Sequence, residues 1–155
     1  NMVTYFENQL ILAECAARSG VVSSGLAYLN SVRSWFNSGG LINSNFSSMT
    51  HQYDAFNASD FDNGGIENTD GVDSKTAFLR EVIEERYVSG FGMHMPYNDA
   101  RRLRKSDSGI SVPFILVIGP NPPYPERMPY SANELNSNSN APADPGIFSK
   151  TEVNN

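Results

Sequence analysis

Residues 3–20 read VTYFENQLILAECAARSG, and residues 23–40 read SSGLAYLNSVRSWFNSGG. In the first stretch Phe6, Leu10, Ala13 and Ala17 recur at the spacing of one helical face, with Tyr5, Leu12 and Ala16 beside them, and Gly20 supplies a stop. The spacing predicts a helix over Val3 to Ser19. In the second stretch Ser23 or Ser24 can cap a helix whose Leu29, Val32 and Phe36 form a stripe flanked by Tyr28 and Trp35, and Gly39-Gly40 ends it. Two helices joined by so short a turn are expected to pack antiparallel. Cys15, the only cysteine, lies among Leu12, Ala13, Ala16 and Ala17; it can form no internal disulfide and is expected to sit buried as a small apolar group.

Large residues facing small Ala13 and Ala17 give this pair the look of a tetratricopeptide unit. A single pair cannot bury both its faces, and about three repeats or more are normally needed. No second copy of the pattern follows, so companion repeats are expected upstream of residue 1.

Outward from the pair, residues 41–73 are Asn, Ser, Asp and Gly with scattered Phe46, Tyr53, Phe56 and Phe61, which predicts one long loop, and loops of that length are functional or disordered. A third helix follows within residues 74–105, capped by Asp73 or Ser74. Phe78, Leu79, Val82, Ile83, Arg86 and Tyr87 form one broad face, Glu81, Glu84 and Glu85 fall mostly off it, and Gly90 and Gly92 close it. Residues 106–155 are rich in Pro, Gly and Asn. They predict an irregular tail containing one short strand at Val112 to Ile118 and an extended or turn segment at Asn121-Pro122-Pro123-Tyr124-Pro125, ordered only by lying across a helical surface. The reading is an all-α, tetratricopeptide-like scaffold: a helix pair at 1–40, a long loop at 41–73, a helix with an Arg-rich segment at 74–105, and the tail.

Composition limits the function classes. At 155 residues the chain has the length of one domain, which buries about two thirds of its unfolded surface. Its net charge of −6 and the lack of a Lys/Arg stripe interleaved with aromatics argue against a nucleic-acid partner. No stretch approaches the roughly 18 apolar residues of a membrane span.

Two blocks carry a resemblance. Glu85-Arg86 is followed by Phe91-Gly92, Tyr97, Asp99 and Arg101-Arg102, and further on Arg127-Met128-Pro129-Tyr130-Ser131 is followed by Glu134, Asn136 and Asn138. Together with Leu10 to Cys15 and Tyr28 to Arg33, these resemble, in order, the C-terminal portion of the SusD/RagB family of outer-membrane nutrient-binding lipoproteins. Met93 and His94 stand where the family usually shows Glu-Gly, Pro96 replaces a common Arg and Ser131 a Pro, which makes the chain a divergent member. The resemblance implies a surface-exposed protein that performs no chemistry, needs no cofactor, and hands oligosaccharides, or less often peptides, to a SusC-type TonB-dependent transporter. It also implies a longer parent chain whose remainder partners this one and carries the lipid anchor. Glu85, Arg86, Phe91, Gly92, Asp99, Arg101, Arg102, Arg127, Pro129 and Tyr130 are then scaffold. Arg86, Arg101 and Arg102 are expected to pair with Glu85 and Asp99 and to pin loop to helix.

No catalytic or metal constellation competes. His51 and His94 lie far apart and outside any metal-type spacing, so each reads as a loop or satisfied polar histidine. Asp60, Asp62, Asn63 and Asp70 are calcium-type ligands, but Gly64 breaks the EF-hand frame and no Glu closes it; an irregular calcium site is the residual alternative. Glu81, Glu84 and Glu85 are expected on a solvated face beside Arg80 and Arg86, with their pKa values kept low, rather than as an acid/base pair. A sugar site needs an aromatic ring with Asn, Asp or Arg beside it. Trp35, Tyr53 and Asp54 are the candidate ligand-binding residues, although a Trp at helical spacing is more often core. The two rival readings are a peptide-binding helical module that docks to a transporter and a fragment of a carbohydrate-active hydrolase.

Overall fold

The apolar stripe of the first stretch needs a helix to bring its members together, and the helix forms where the sequence offers caps. In the computed structural model, which describes residues 3–40, 52–103, 110 and 126–150, α1 spans Tyr5–Arg18 and α2 Val22–Asn37. A 3₁₀ turn follows at Ala58–Phe61, then α3 (Ser74–Ser89), α4 (Met95–Arg102) and α5 (Ala132–Ser137). Every regular element among the described residues is helical, and the fold class is all-α. The chain divides into two compact units, Asn1–Pro96 and Tyr97–Asn155.

In the first unit, Thr4 and Glu7 form a reciprocal capping box at the start of α1. Its end is a Schellman turn: Gly20, at φ +86°, donates to Ala17 O and Val21 to Ala16 O. That turn delivers the chain directly into α2, so Val21 occupies the N-cap with no side-chain cap, and Ser23 and Ser24 lie inside the helix instead of starting it. α2 closes in the same way, with Gly39 at φ +88° donating to Phe36 O and Gly40 to Trp35 O. Tyr5 and Phe6 at the start of α1 meet Trp35 and Phe36 at the end of α2, so the two helices run antiparallel. A β-carbon at Gly25 would stand 2.7 Å from Phe78 and 3.2 Å from Ala13 O, which makes Gly25 the point where α2 closes on α1 and α3.

Asp73 caps α3 by accepting from the Thr76 amide. Phe6, Leu10, Ala13, Ala17, Leu29, Val32, Phe61, Ala77, Phe78 and Val82 are fully buried, and each large member contributes about 1.5–3 kcal/mol by leaving water. Phe61 extends this core beyond the helices by meeting Phe78 edge-on at 5.1 Å and Phe56 at 5.3 Å. The acidic loop before α3 is closed by its own side chains. Buried Asn68 donates to Phe61 O and Val72 O, Asp60 accepts from the Asn57 amide, Asp62 accepts from the Ser74 hydroxyl, and both oxygens of Asp70 accept from Arg80 at 2.7 Å. Residues 52–73 are therefore a compact, side-chain-tied segment rather than an unstructured loop.

Several expectations are corrected. Cys15 is exposed, because the buried face of α1 runs Phe6, Leu10, Ala13, Glu14, Ala17 and leaves Cys15 one step outside it. Tyr87 is 39% exposed, while Glu85, expected mostly off the packed face of α3, is only 6% exposed and lies on it beside Arg86, which was expected there. The solvated Glu81–Glu85 face is also wrong: Glu81 retains 12% side-chain exposure, and only Glu84 of the three faces water freely. Buried Glu85 is 3.3 Å from Arg33 on α2, and Arg86 reaches to 4.0 Å from Glu14 on α1, so these motif residues join helix to helix rather than loop to helix.

In the second unit, Asp99 is fully buried and accepts from Arg102 Nε at 2.8 Å, a pair three residues apart along α4 that joins residues of one helix rather than loop to helix, while Arg101 lies over the Tyr97 ring at 5.6 Å. The tail is not wholly irregular: Ser131 caps α5 by accepting from the Glu134 amide. Arg127 Nε and Nη2 donate to Ser149 O and Lys150 O, and the Glu126 amide donates to Ile147 O, which ties 126–127 to 147–150. Pro129 and Tyr130 are exposed beside this tie. The strand expected at Val112 to Ile118, the turn at Asn121 to Pro125, and His51 lie outside the described residues.

Candidate functional site

Two adjoining faces of α2 carry the polar chemistry of the first unit. Along one, Ala27, Ser31, Ser34, Trp35 and Ser38 recur at one to two turns and, with Asn30 and Tyr5 of α1, line an open hollow of about 490 Å³. Tyr5 is 48% exposed and its ring sits 5.5 Å from that of Trp35, tilted by 51°. Trp35 is half-buried. Phe6 stacks near it at 5.9 Å and 18°, Phe36 touches it at 5.3 Å, and Gly40 lies so close that an added β-carbon would stand 2.3 Å from Cδ2 and Cε2. The indole thus serves both core and hollow, and the phenol of Tyr5 is the more accessible ring.

The hydroxyls of the hollow are oriented by their own helix. Ser31 donates to Ala27 O at 2.8 Å and Ser38 to Trp35 O at 2.7 Å, which commits each O–H proton and leaves the oxygen lone pairs as acceptors. Among the described residues, no Asp, Glu, Lys, Arg or His lines the hollow.

The other face is Asn30, Arg33 and Asn37, spaced i, i+3, i+7, and it holds residues 53–56 by their main chain. Asn37 donates to Tyr53 O and accepts from the Tyr53 amide, both at 2.8 Å. Asn30 does the same for Phe56, both at 2.9 Å. Between them Arg33 Nε donates to Asp54 O at 2.7 Å, and its guanidinium lies 4.0 Å from the Phe56 ring centroid and 5.1 Å from that of Tyr53. Tyr53 also packs at 5.8 Å on Phe36. The registers agree: Asn30 to Asn37 rises about 10.5 Å along the helix at ~1.5 Å per residue, and Tyr53 to Phe56 covers about 9.3 Å of polyproline-II-like backbone at ~3.1 Å per residue.

Beneath the strap, Arg33 faces the carboxylates of Glu85 at 3.3 Å and Glu81 at 3.8 Å. Burial, reinforced by the negative charges of Glu67, Glu84 and Glu85, pushes the Glu81 carboxyl up from its ordinary 4.5 to about 8, and Arg33 offsets only part of that. Neither carboxylate lines the hollow.

Of the residues expected to bind ligand, Trp35 lies in the hollow, whereas Tyr53 and Asp54 lie on the strap against the neighbouring face. Sequence reasoning missed Ser31, Ser34 and Ser38, whose signal was an i, i+3/i+4 run of small polar residues around Trp35, and Tyr5, which the packing of α1 on α2 brings to them. It also missed Asn30, Arg33 and Asn37, which share one stripe. His94 is exposed, and no group of three potential metal ligands occurs among the described residues. Among those residues no helix is long and apolar enough to cross a membrane. Comparison with protein-family models, with curated proteins and with solved structures returns no match.

Proposed function

We propose that this chain captures a neutral carbohydrate at the hollow formed by Tyr5 and Trp35 on α1 and α2. The observation that carries the reading is the pairing of two adjacent aromatic rings with Ser31, Ser34 and Ser38 in an open hollow to which the described residues contribute no charged side chain. An aromatic ring covers the apolar C–H face of a sugar, and serine oxygens whose protons are already committed accept from sugar hydroxyls. With no cation among the described lining residues and a net charge of −6 on the chain, the reading favours neutral over uronic or sulfated sugars.

On this reading the protein is a non-catalytic nutrient-binding protein of the SusD/RagB type, displayed at the outer-membrane surface and delivering oligosaccharide to a SusC-type TonB-dependent transporter. The antiparallel pair α1–α2, with Gly25 at the close approach and α3 packed behind it, is what a tetratricopeptide-like scaffold would offer. The motif residues Glu85 and Arg86 act within that scaffold as buried ion-pair members, and Asp99 and Arg102 pair with each other along α4. Calorimetric titration of neutral oligosaccharides tests the reading: saturable binding to one class, weakened at least tenfold by Tyr5→Ala, is expected. Tyr5→Ala is preferred to Trp35→Ala because Trp35 is also packed against Phe6, Phe36 and Gly40. Absence of binding across neutral and acidic sugars alike overturns the reading.

A further inference from the structure

We propose that the Asn30–Arg33–Asn37 stripe is a receptor for extended peptide main chain, that residues 53–56 are its built-in occupant, and that a peptide bearing two aromatics three residues apart can replace them. This site shares Asn30 with the lining of the hollow, commits that amide to Phe56, and does not depend on the carbohydrate reading. The contacts are of the kind that would recognise any such peptide. Four of the five hydrogen bonds join an asparagine amide to the N–H and C=O of a single residue, and the fifth runs from Arg33 to a carbonyl. None of them reads a side chain. A guest main chain of the same pitch would satisfy all five, and Asn30 and Asn37 would be left with no unmet donor or acceptor after exchange.

Side-chain selectivity is confined to the two rings. The guanidinium of Arg33 lies between Tyr53 and Phe56, and Phe36 and Phe61 provide the apolar contacts to Tyr53 and Phe56 respectively. Residues 52–55 are exposed, Tyr53 by 43%, while Phe56 is half-buried against Phe61, so release of the occupant gives up one ring contact at the edge of the core, which the aromatic of a guest would restore. Being tethered, the occupant competes at an effective concentration of about millimolar or more, which sets the affinity a guest must overcome.

The probe is a synthetic peptide, Gln-Tyr-Asp-Ala-Phe-Asn, with the sequence of residues 52–57, titrated into the full chain while amide exchange at Tyr53 and Phe56 is followed by NMR. Exchange at these two amides is expected to accelerate at least tenfold at saturating peptide, while amides of the α1–α3 core are unchanged. The chain variant Tyr53→Gly, which removes an exposed ring from the occupant, is expected to bind the peptide at least tenfold more tightly, and Asn37→Ala at least tenfold more weakly. A peptide N-methylated at its Tyr and Phe amides is expected not to bind. Unchanged exchange at millimolar peptide in the natural chain, or equal binding of the methylated peptide, overturns the proposal.

Discussion

The two faces of α2 are both polar, one by serines and the other by two asparagines and an arginine, and they stand in opposite states. On the hollow face, Ser31 and Ser38 bond to carbonyls of their own helix and present their lone pairs outward. On the strap face, Asn30, Arg33 and Asn37 direct their amide and guanidinium groups into residues 53–56. Polarity on a helix surface therefore does not by itself mark a ligand site. What distinguishes the faces is whether each donor and acceptor already has a partner within the fold, and that depends on a segment more than a dozen residues away in sequence.

Substitutions should separate the faces by stability. The largest effect is expected from Arg33→Ala, which strands Glu85 in the interior, removes the bond to Asp54 and unstacks Tyr53 and Phe56; urea unfolding should show a loss of about 3 kcal/mol. Glu81→Gln should act in the opposite direction. Its folded pKa of about 8 exceeds the ordinary 4.5, so the folded state holds the proton more tightly, and this stabilising contribution is complete below pH 4.5 and is lost as pH rises through 8. Glutamine abolishes that decline, and stability curves of the two proteins should diverge above pH 4.5, with the variant ahead by on the order of 1–3 kcal/mol at pH 8. Asn37→Ala and Asn30→Ala should each cost about 1–2 kcal/mol, because the strap loses a pair of main-chain bonds, and hydrogen exchange at Tyr53 or Phe56 should report which pair was lost. On the hollow face Ser31→Ala and Ser38→Ala should fall within about 0.5 kcal/mol of the parent while weakening sugar binding.

The helices and their ends were legible in the sequence because they are local. Phe6, Leu10, Ala13 and Ala17 follow a fixed period, Gly20 and Gly39 take the left-handed turn that few other residues adopt, and Asp73 is a cap wherever a helix starts beside it. The Thr4–Glu7 capping box was equally local and went unread. Ser23 and Ser24 misled because α1 ends in a turn that already sets the direction of α2, so no side-chain cap was needed. Glu85 and Glu81 misled for another reason. Period alone placed them off the apolar face, but Arg33 on a different helix supplied the charge that lets carboxyls go inside.

Legibility was lower still for the site. Trp35 could be named because few residues offer so large a ring, yet Tyr53 and Asp54 were assigned to ligand when their main chain is held by α2. A bond from a side chain to a backbone carbonyl leaves no trace in the partner's identity, so no reading of residues 53–56 could have found the strap. Tyr5 belonged to the hollow only once the antiparallel packing had brought the start of α1 to the end of α2.

The most direct test of the central claim is calorimetry of the chain with matched neutral and uronic acid oligosaccharides, repeated with Tyr5→Ala. The account predicts saturable binding of a neutral class, at least tenfold weaker binding of its uronic counterpart, and loss of that binding in the variant with the fold intact. Preferential binding of the uronic sugar, or neutral binding untouched by Tyr5→Ala, would contradict the assignment of the uncharged hollow as the sugar site.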